Sequence, residues 1–293
     1  MTSDTRRQDD TGALGRVIIK PVSTAWINDD NIENQWRELN YTRRPKLTAA
    51  AREYQSFASI LEHAGATLYP LPAAAATGLD SLYPRDAAVM CSAGAILCAM
   101  GKPARCGEPA ELQSAFSALG VPIHGAIGSD GCLEGGDVVW LAPRIVAVGL
   151  GYRTNRAGID QLTKLLDGMV DEVIVVPLPH WRGRDDVFHL MSMISPLDRD
   201  LALVYSPLLP VPFRQRLQQL GMDLLEVPDE EFATQACNVL ALAPRKALMV
   251  DGNPVTKDRL RRAGVEVLCY SGNEISLKGG GGPTCLTRPI ERN

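Results

Sequence analysis

Apolar positions recur at helical spacing in five segments of the chain, and each of these segments ends in a glycine. The first segment, for example, carries Leu47, Ala51, Phe57 and Leu61 on one side of a helix. Each segment begins near a proline or a polar cap, which favours helix initiation, and a glycine at its end favours termination. The pattern predicts helices in residues 45–65, 109–120, 155–168, 212–221 and 254–264.

Short runs typical of β-strands surround these helices. Each helix is followed by one run, and these runs cover residues 66–70, 121–124, 172–177, 223–228 and 265–270. Four helices are also preceded by two apolar runs with a turn between them, which is the pattern of a hairpin. The predicted hairpins pair 87–91 with 95–100, 137–141 with 145–150, 189–194 with 201–205, and 238–242 with 246–250. The first unit shows only residues 16–20, so we expect another part of the chain to complete its hairpin.

A unit of strand, strand, helix and strand therefore repeats five times, at intervals of about fifty residues. Because the hairpin strands carry almost no charge, they are expected to form an inner layer covered by helices. The predicted fold class is α/β, a five-bladed pseudo-symmetric β/α propeller of repeated ββαβ units. The alternative is a chance alternation, which any α/β chain can show. We expect residues 1–14 to form a disordered tail and residues 15–293 a single propeller domain.

Composition narrows the class of protein. Of 293 residues, 45% are hydrophobic and 22% are charged, and the net charge is −4, which is ordinary for a globular protein. No cluster of Lys and Arg indicates a nucleic-acid partner. The longest apolar run is interrupted by Ser92 and Gly94 and is too short to cross a membrane. The polar N-terminus lacks the apolar core of a secretory signal.

The seven cysteines are odd in number and contain no CxxC spacing. This argues against a disulfide framework and a zinc site, and it favours reduced thiols and a cytoplasmic location. Cys91, Cys98, Cys237 and Cys269 lie in apolar runs and are predicted to be core residues. Cys285 instead follows four consecutive glycines. It is either a nucleophile presented on a close-packed loop or an incidental thiol on a loose C-terminal tail.

Residues with useful chemistry fall at related positions of the repeat. Asp80 and Asp86 precede the second hairpin, Glu134 precedes the third, His189 opens the fourth, and Cys285 follows the last strand. If the units surround an axis, these side chains meet in one pocket. A thiol nucleophile, a histidine acid/base and an orienting carboxylate form a covalent catalytic set. The additional carboxylates indicate a cationic substrate.

Each of these residues also has a structural interpretation. Asp86 could pair with Arg85 on the surface, residues 134–137 could form a plain turn, and His189 could be a core histidine. The other histidines, His63, His124 and His180, are assigned structural roles.

The motifs in their order resemble the guanidino-group modifying enzymes, or penteins. The chain carries Asp-Ser-Leu-Tyr-Pro-Arg-Asp at 80–86, Glu-Gly-Gly-Asp at 134–137, Arg-Thr-Asn at 153–155, Phe-His-Leu at 188–190, Asn-Val-Leu-Ala-Leu at 238–242 and Gly-Gly-Gly-Pro-Thr-Cys-Leu-Thr at 280–287. Within these enzymes the chain is most similar to the dimethylarginine dimethylaminohydrolases and to their arginine deiminase and amidinotransferase relatives. The resemblance covers nearly the whole chain from about residue 16 and also implies a five-fold β/α propeller.

The resemblance implies a covalent mechanism. Cys285 matches the nucleophile, His189 the general acid/base, and Glu134 the carboxylate that positions the histidine or binds the guanidinium. The expected reaction hydrolyses a C–N bond of a methylated arginine or a related guanidine, giving a citrulline-type product and an amine or ammonia. No metal and no organic cofactor is expected.

The substrate contacts follow from the same resemblance. Asp86 matches the main guanidinium-binding carboxylate and Asp80 a second substrate contact, and Tyr83 in the same motif is also expected to bind the substrate. Arg105 and Arg153 match the arginines that hold the amino-acid end of the substrate. The expected partner is a small-molecule guanidine, with no nucleic acid and no membrane, and a homodimer stays open.

Two residues depart from the dimethylaminohydrolase and deiminase patterns. Arg85 stands where dimethylaminohydrolases carry a glutamate, and a cation there is expected to change the charge of the pocket. Met191 stands where deiminases and amidinotransferases carry an aspartate. The two departures point in opposite directions, so the subfamily stays open. The alternatives to a hydrolase are an amidinotransferase, against which Met191 counts, and a non-catalytic guanidine-binding protein, against which the presence of both Cys285 and His189 counts. Residues 29–44 are our choice for a lid over the pocket.

Overall fold

The strands of the chain pair into small three-stranded sheets that repeat along the sequence. The structure is a computed structural model, and it describes residues 8–184 and 188–293. In chain order the elements are β1 (Leu14–Ile19), α1 (Val22–Ala25), α2 (Asp29–Gln35), α3 (Leu47–His63), β2 (Thr67–Pro70), β3 (Ala88–Cys91), β4 (Gly94–Leu97), α4 (Glu108–Ala118), β5 (Ile123–Ala126), β6 (Val138–Ala142), β7 (Ile145–Leu150), α5 (Arg156–Leu165), β8 (Glu172–Pro177), β9 (Ile194–Asp198), β10 (Leu201–Val204), α6 (Val211–Gln219), β11 (Asp223–Glu226), α7 (Asp229–Phe232), β12 (Leu240–Ala243), β13 (Lys246–Val250), α8 (Pro254–Arg262), β14 (Glu266–Tyr270) and β15 (Arg288–Arg292).

The sheets share one internal order. Within the described residues they are β15-β1-β2, β3-β4-β5, β6-β7-β8, β9-β10-β11 and β12-β13-β14. In each sheet the central strand pairs antiparallel with one neighbour and parallel with the strand that follows the connecting helix. We call each sheet with its helix a blade, numbered from the sheet that contains β1. This order confirms the repeated ββαβ unit and the α/β propeller class.

The first blade takes its third strand from the other end of the chain. β15 pairs antiparallel with β1, with Leu14 opposite Arg292 and Ile18 opposite Arg288. The expectation that another segment completes the first hairpin is confirmed. The C-terminal segment is thereby fixed to the start of the chain, and Cys285, three residues before β15, cannot lie on a loose tail.

The helices cover the sheets with one apolar side. In α3 the buried residues are Ala50, Tyr54, Phe57 and Leu61, which share one side of the helix. The glycine after this helix, Gly65, adopts a φ of 97°, which glycine reaches without a steric cost. Within the described residues, no helix combines the length and the apolar character needed to cross a bilayer.

The fourth hairpin differs from its prediction. Its first strand is β9, residues 194–198, whereas the sequence placed that strand at residues 189–194. The backbone N–H of Leu190 donates to Asp137, and that of His189 donates to the Ser192 hydroxyl. These bonds hold residues 190–192 in a 3₁₀ turn, so His189 precedes the hairpin instead of lying in it.

The segment before β1 packs into the protein. Gln8 and Asp10 are buried, and Asp10 accepts hydrogen bonds from Arg85 and from the backbone of Trp140. Residues 8–14, which the sequence assigned to a tail, therefore belong to the folded domain. Their polar side chains suggested disorder, but they bind interior polar groups; residues 1–7 lie outside the described part.

The cysteines predicted for the core lie there. Cys91, Cys98 and Cys237 are buried, and Cys269 is partly buried against the same apolar cluster as Cys237. Cys106 is exposed, and none of the seven cysteines, all of which lie in the described residues, forms a disulfide.

Candidate active site

The segments that lead into the hairpins of blades two to five meet at one cavity. Of the residues singled out from the sequence, it is lined by Asp80, Tyr83, Asp86, Arg105, Arg153, His189 and Cys285. Glu134 lies directly behind His189, and Met191 also lines the cavity. A larger groove of about 650 Å³ beside α3 holds none of these residues. The ring therefore gathers the residues with useful chemistry at a single place.

Short 3₁₀ turns present the side chains to the cavity. Asp86 lies within the turn Pro84–Ala87, and Glu134 and His189 each stand directly before such a turn. Asn238 stands two residues before β12 in the equivalent part of blade five. Because these blades repeat the same backbone path, the residues that shortly precede the first strand of each hairpin lie at or beside the same cavity.

His189 and Glu134 form a buried pair. The Nε2 atom of His189 lies 2.8 Å from an oxygen of Glu134, whose carboxylate also binds Arg153 at 2.7 Å. Burial opposes ionisation of Glu134, but Arg153 and His189 hold its pKa far below the ordinary range. Burial alone would lower the pKa of His189, but Asp86, Asp137 and Glu134 raise it above its ordinary value. The carboxylates around the imidazole therefore favour its protonated form relative to a free histidine.

One oxygen of Asp86 has no hydrogen-bond partner among the described residues. Its Oδ2 atom accepts a hydrogen bond from Arg105 at 2.6 Å. Its Oδ1 atom is buried and accepts no hydrogen bond from the described residues, and it lies 4.0 Å from Nδ1 of His189. Burial opposes ionisation of Asp86, but His189 and Arg105 lower its pKa overall. An unpaired anionic oxygen beside the cavity is suited to a cation that donates hydrogen bonds.

Cys285 is half-buried at the other side of the cavity. Its sulfur accepts a hydrogen bond from the amide of Asn238 at 3.3 Å, and the Thr284 hydroxyl lies 3.8 Å away. Burial, with the charge of Asp86 as the next cause, raises the pKa of the thiol. Without a bound cation the thiol is therefore protonated at neutral pH.

The glycine run before Cys285 packs closely against Tyr83. A Cβ added at Gly281 would lie 2.5 Å from the Tyr83 ring, and one at Gly279 would lie 2.2 Å from its hydroxyl. The same hydroxyl donates to the carbonyl of Ile275. The glycines are needed because the backbone passes close to a tyrosine, and Tyr83 fixes the loop that carries the thiol.

Arg85 points away from the cavity. Its guanidinium is buried and pairs with Asp10 at 2.6 Å, while Asp86 is buried and pairs with Arg105. The expectation that Arg85 alters the charge of the pocket does not hold, because Asp10 balances that charge elsewhere. The surface pair of Asp86 and Arg85 is also not formed.

The two arginines expected to hold the amino-acid end of the substrate already bind carboxylates. Arg105 forms a two-point contact with Glu108, at 2.8 Å from Nε and 2.7 Å from Nη2. Arg153 presents its Nε and Nη2 atoms to Glu134. In this arrangement neither arginine has two nitrogen atoms free to bind a substrate carboxylate. Each arginine instead fixes a carboxylate of the site.

Three further residues of the site were missed from the sequence. Lys102 pairs with Asp80 at 2.6 Å, Asn238 donates to Cys285, and Glu108 supports Arg105. The repeat itself could have indicated Asn238, because it enters the fifth hairpin. A spacing of three between Arg105 and Glu108 is also the spacing of helical ion pairs.

Among the described residues, one set of three has ligand atoms close enough to share an ion: Asp86, Glu134 and His189, whose atoms lie within 4.8 Å of one another. Arg105 and Arg153 already bind the two carboxylates. The arrangement suits an organic cation that adds hydrogen bonds to the free oxygen of Asp86. That the chain needs no metal or organic cofactor stays a prediction.

The predicted lid segment, residues 29–44, borders the cavity. The carbonyl of Leu39 accepts a hydrogen bond from Lys102, and a Cβ added at Gly279 would lie 2.8 Å from the ring of Tyr41. The segment therefore contacts both Lys102 and the glycine loop. Its role as a lid stays a prediction.

Substitution of Gly136 is expected to disable the site without unfolding the chain. The added Cβ of Gly136→Ala would lie 2.6 Å from Oδ1 of Asp86 and 2.8 Å from Nδ1 of His189. Because displacements near 1 Å in such a constellation cost about 100-fold, we expect kcat to fall by about that factor. Steady-state kinetics on a guanidine that the wild type processes would measure this fall. Gly128→Ala, where a Cβ meets nothing within 4 Å, is the control, and an equal loss in both variants would refute the argument.

Comparison with known proteins places this geometry in a family. The arginine deiminase family model matches residues 79–219 and 209–292. The chain belongs to the arginine deiminase family. It is 31% identical over 191 residues to the arginine deiminase of Mycobacterium avium (strain 104), covering 55% of this chain and 46% of that protein. The chain spans about half the length of such mycobacterial relatives. It is also 29% identical over 213 residues to the uncharacterized protein YkgA of Bacillus subtilis (strain 168), covering 73% and 70% of the two chains.

Solved structures share the fold of this family member. Dimethylarginine dimethylaminohydrolase from Pseudomonas aeruginosa, in complex with citrulline, superposes with a TM-score of 0.76 at 20% identity and covers 94% of this chain and 98% of that chain. The N-terminal domain of ArgZ, an arginine dihydrolase of the cyanobacterial ornithine–ammonia cycle, gives 0.80 at 21% identity, with 94% and 97% covered. Together with the match to the arginine deiminase family model, this shared fold confirms the resemblance to the guanidino-group modifying enzymes.

Proposed function

We propose that the chain is a C–N hydrolase that acts on the guanidino group of an arginine, a methylated arginine or a related guanidine through a covalent adduct on Cys285. The observation that carries this proposal is the buried Oδ1 atom of Asp86, which accepts no hydrogen bond from the described residues. It shares a cavity with Cys285 and His189, so a cation bound there lies between a nucleophile and an acid. Membership in the arginine deiminase family supports the same chemistry.

Substrate binding activates the thiol in this proposal. Asp86 raises the pKa of Cys285, and a guanidinium on Asp86 would balance that charge. The pKa of the thiol then falls, its proton is released to solvent, and the thiolate forms beside the guanidinium carbon. The nucleophile therefore appears only when a cation occupies the site, which limits side reactions of a free thiolate.

Two chemical steps follow. The sulfur of Cys285 bonds to the central carbon, the C–N bond to the leaving amine breaks, and that nitrogen takes a proton from His189. Neutral His189 then takes one proton from water, whose oxygen bonds to the carbon. The second proton of this water leaves to solvent as the carbonyl forms, the C–S bond breaks, and the thiolate returns. A dimethylarginine would give citrulline and dimethylamine, and arginine would give citrulline and ammonia.

The remaining residues position these groups. Glu134 holds Nε2 of His189 and favours its cationic form, and Arg153 in turn fixes Glu134. Arg105 orients Asp86 so that Oδ1 faces the cavity. Asn238 donates to the Cys285 sulfur, a contact that would also stabilise the thiolate. Tyr83 supports the glycine loop, and Asp80 lines the same cavity, where it pairs with Lys102.

Product analysis tests the proposal. The wild-type chain is incubated with arginine, its mono- and dimethylated forms and a panel of small guanidines, and urea-type product and released amine are measured. We expect product from at least one guanidine without an added amine. The absence of product from every member, with Cys285 intact, would exclude the hydrolase. A new guanidine formed only when an amine is added would instead support an amidinotransferase.

A further inference from the structure

Lys102 occupies a place in the cavity that a substrate cation would need. Its ammonium donates to Oδ2 of Asp80 at 2.6 Å and to the carbonyl of Leu39 at 3.1 Å. The pair is largely buried, since 18% of the Lys102 side chain and 9% of the Asp80 side chain are exposed. Both residues line the same cavity as Cys285. Asp80, a predicted substrate contact, is thus already matched by a cation of the protein.

An ammonium group on the substrate would meet this cation. Lys102 already binds Oδ2 of Asp80, so a second cation at the same carboxylate would lie beside the ammonium of Lys102. The two like charges would repel each other in a cavity that is partly shielded from water. A guanidine without a second cation meets no such cost.

A carboxylate on the substrate, in contrast, finds a donor in Lys102. The forks of Arg105 and Arg153 are engaged by Glu108 and Glu134. The exposed fractions of these two arginines are 3% and 9%, so Lys102 is the most accessible cation of the cavity. An ammonium has three N–H groups, and Asp80 and Leu39 engage two of the three on Lys102.

We infer that Lys102 determines specificity, so that the site prefers a guanidine bearing a carboxylate but no α-ammonium, an ω-guanidino acid. This inference rests on the proposed function, which concerns the guanidino end of the substrate. It adds which charged group the substrate carries at its other end. The preferred substrate is a relative of arginine that lacks its amino group. The ammonium of Lys102 takes the place that the α-ammonium group of an amino-acid substrate would occupy.

Three probes with the same four-carbon spacing test the inference. Arginine carries both charged groups, 5-guanidinopentanoate only the carboxylate, and agmatine only the ammonium. We expect kcat/KM of the wild type to be at least about 10-fold higher for 5-guanidinopentanoate than for arginine, and lowest for agmatine. Lys102→Met should lose about 10–100-fold on 5-guanidinopentanoate, mainly through KM, and should gain on agmatine because Asp80 becomes free.

Lys278→Met is the matched control. Lys278 also pairs with a carboxylate, Glu274, at 2.6 Å and with a backbone carbonyl at 3.1 Å, but it does not line the cavity. The ratio among the three probes should be unchanged in this variant. A wild type that processes arginine as well as 5-guanidinopentanoate, or a Lys102→Met that loses equally on all three, would overturn the inference.

Binding measurements distinguish a failure of this inference from a failure of the hydrolase proposal. Calorimetric titration of the Cys285→Ser variant with the three probes reports affinity without turnover. Tightest binding of 5-guanidinopentanoate, with no product from any guanidine in the wild type, would support the role of Lys102 and refute the hydrolase. Product from arginine, with tighter binding of arginine than of 5-guanidinopentanoate, would support the hydrolase and refute the role of Lys102.

Discussion

Cys285→Ser is expected to lower turnover of every guanidine that the wild type processes by at least about 1,000-fold, because the proposed first step is attack by the sulfur. A serine hydroxyl is a far weaker nucleophile than a thiolate at neutral pH, because it is much harder to deprotonate than a thiol. The replacement is nearly isosteric, so the hydrogen bond from Asn238 should persist as a bond to oxygen. The melting temperature should stay close to that of the wild type, and product formation measures the loss.

Cys106→Ser supplies the matched control for this prediction. Cys106 is exposed and lies outside the cavity, so its replacement should leave most of the turnover. Mass spectrometry of the wild type, quenched during turnover, should show an added amidino group on the peptide that contains Cys285. Equal losses from the two serine variants would mean that the wrong thiol has been assigned.

Much of the fold could be predicted because its signals are local. A stop glycine, an apolar side of a helix and a turn between two apolar runs each need only a few neighbouring residues, as in α3 with Gly65. The pairing of β1 with β15 spans the whole chain, and no local signal carries it. The sequence could therefore indicate a missing strand in the first blade, but not which segment supplies it.

Tertiary contacts explain where the site differs from its prediction. Arg85 and Asp86 are adjacent in sequence, yet their side chains diverge from one 3₁₀ turn toward Asp10 and Arg105. Asp10 is 75 residues away and lies in a segment whose polar composition suggested a tail. Sequence adjacency thus proved a poor guide to which charges share a pocket.

The predicted set of site residues gathers in the structure, because a repeat places equivalent positions at one end of each blade. What sequence patterns did not supply is which charges are already paired. Arg105 is recognisable as an arginine of the site, but its engagement by Glu108 appears only in the fold. The pairing of Lys102 with Asp80 identifies Lys102, which the sequence did not single out, as a candidate determinant of specificity.

Glu134→Gln is expected to lower kcat by about 100–1,000-fold at neutral pH and to shift the alkaline limit of activity to lower pH. Glu134 is one of the carboxylates that raise the pKa of His189, so its neutralisation lowers that pKa. The imidazolium that protonates the leaving amine is then lost at a lower pH than in the wild type. Profiles of kcat against pH for the two proteins measure the shift.

The same substitution should reduce stability. Glu134→Gln leaves the cation of Arg153 buried without its counter-ion, which costs about 3–5 kcal/mol. The raised pKa of His189 contributes stability that is complete below its unfolded value near 6.5 and is lost as the pH rises through the folded value. The low pKa of Glu134 contributes stability above its unfolded value near 4.5. Both contributions are present between those two values, so the stability gap between wild type and variant should be largest there.

Glu231→Gln separates the local role of Glu134 from a general effect of losing a buried carboxylate. Glu231 is buried and accepts hydrogen bonds from the backbone N–H groups of Val255 and Thr256, away from the cavity. Its replacement should reduce stability but leave the pH profile of kcat in place. A profile unchanged in Glu134→Gln would show that Glu134 does not tune His189. Because the two variants share the chemical change, a shift of the pH profile confined to Glu134→Gln would come from the surroundings of Glu134, which include the imidazole of His189, and not from the loss of a buried carboxylate in general.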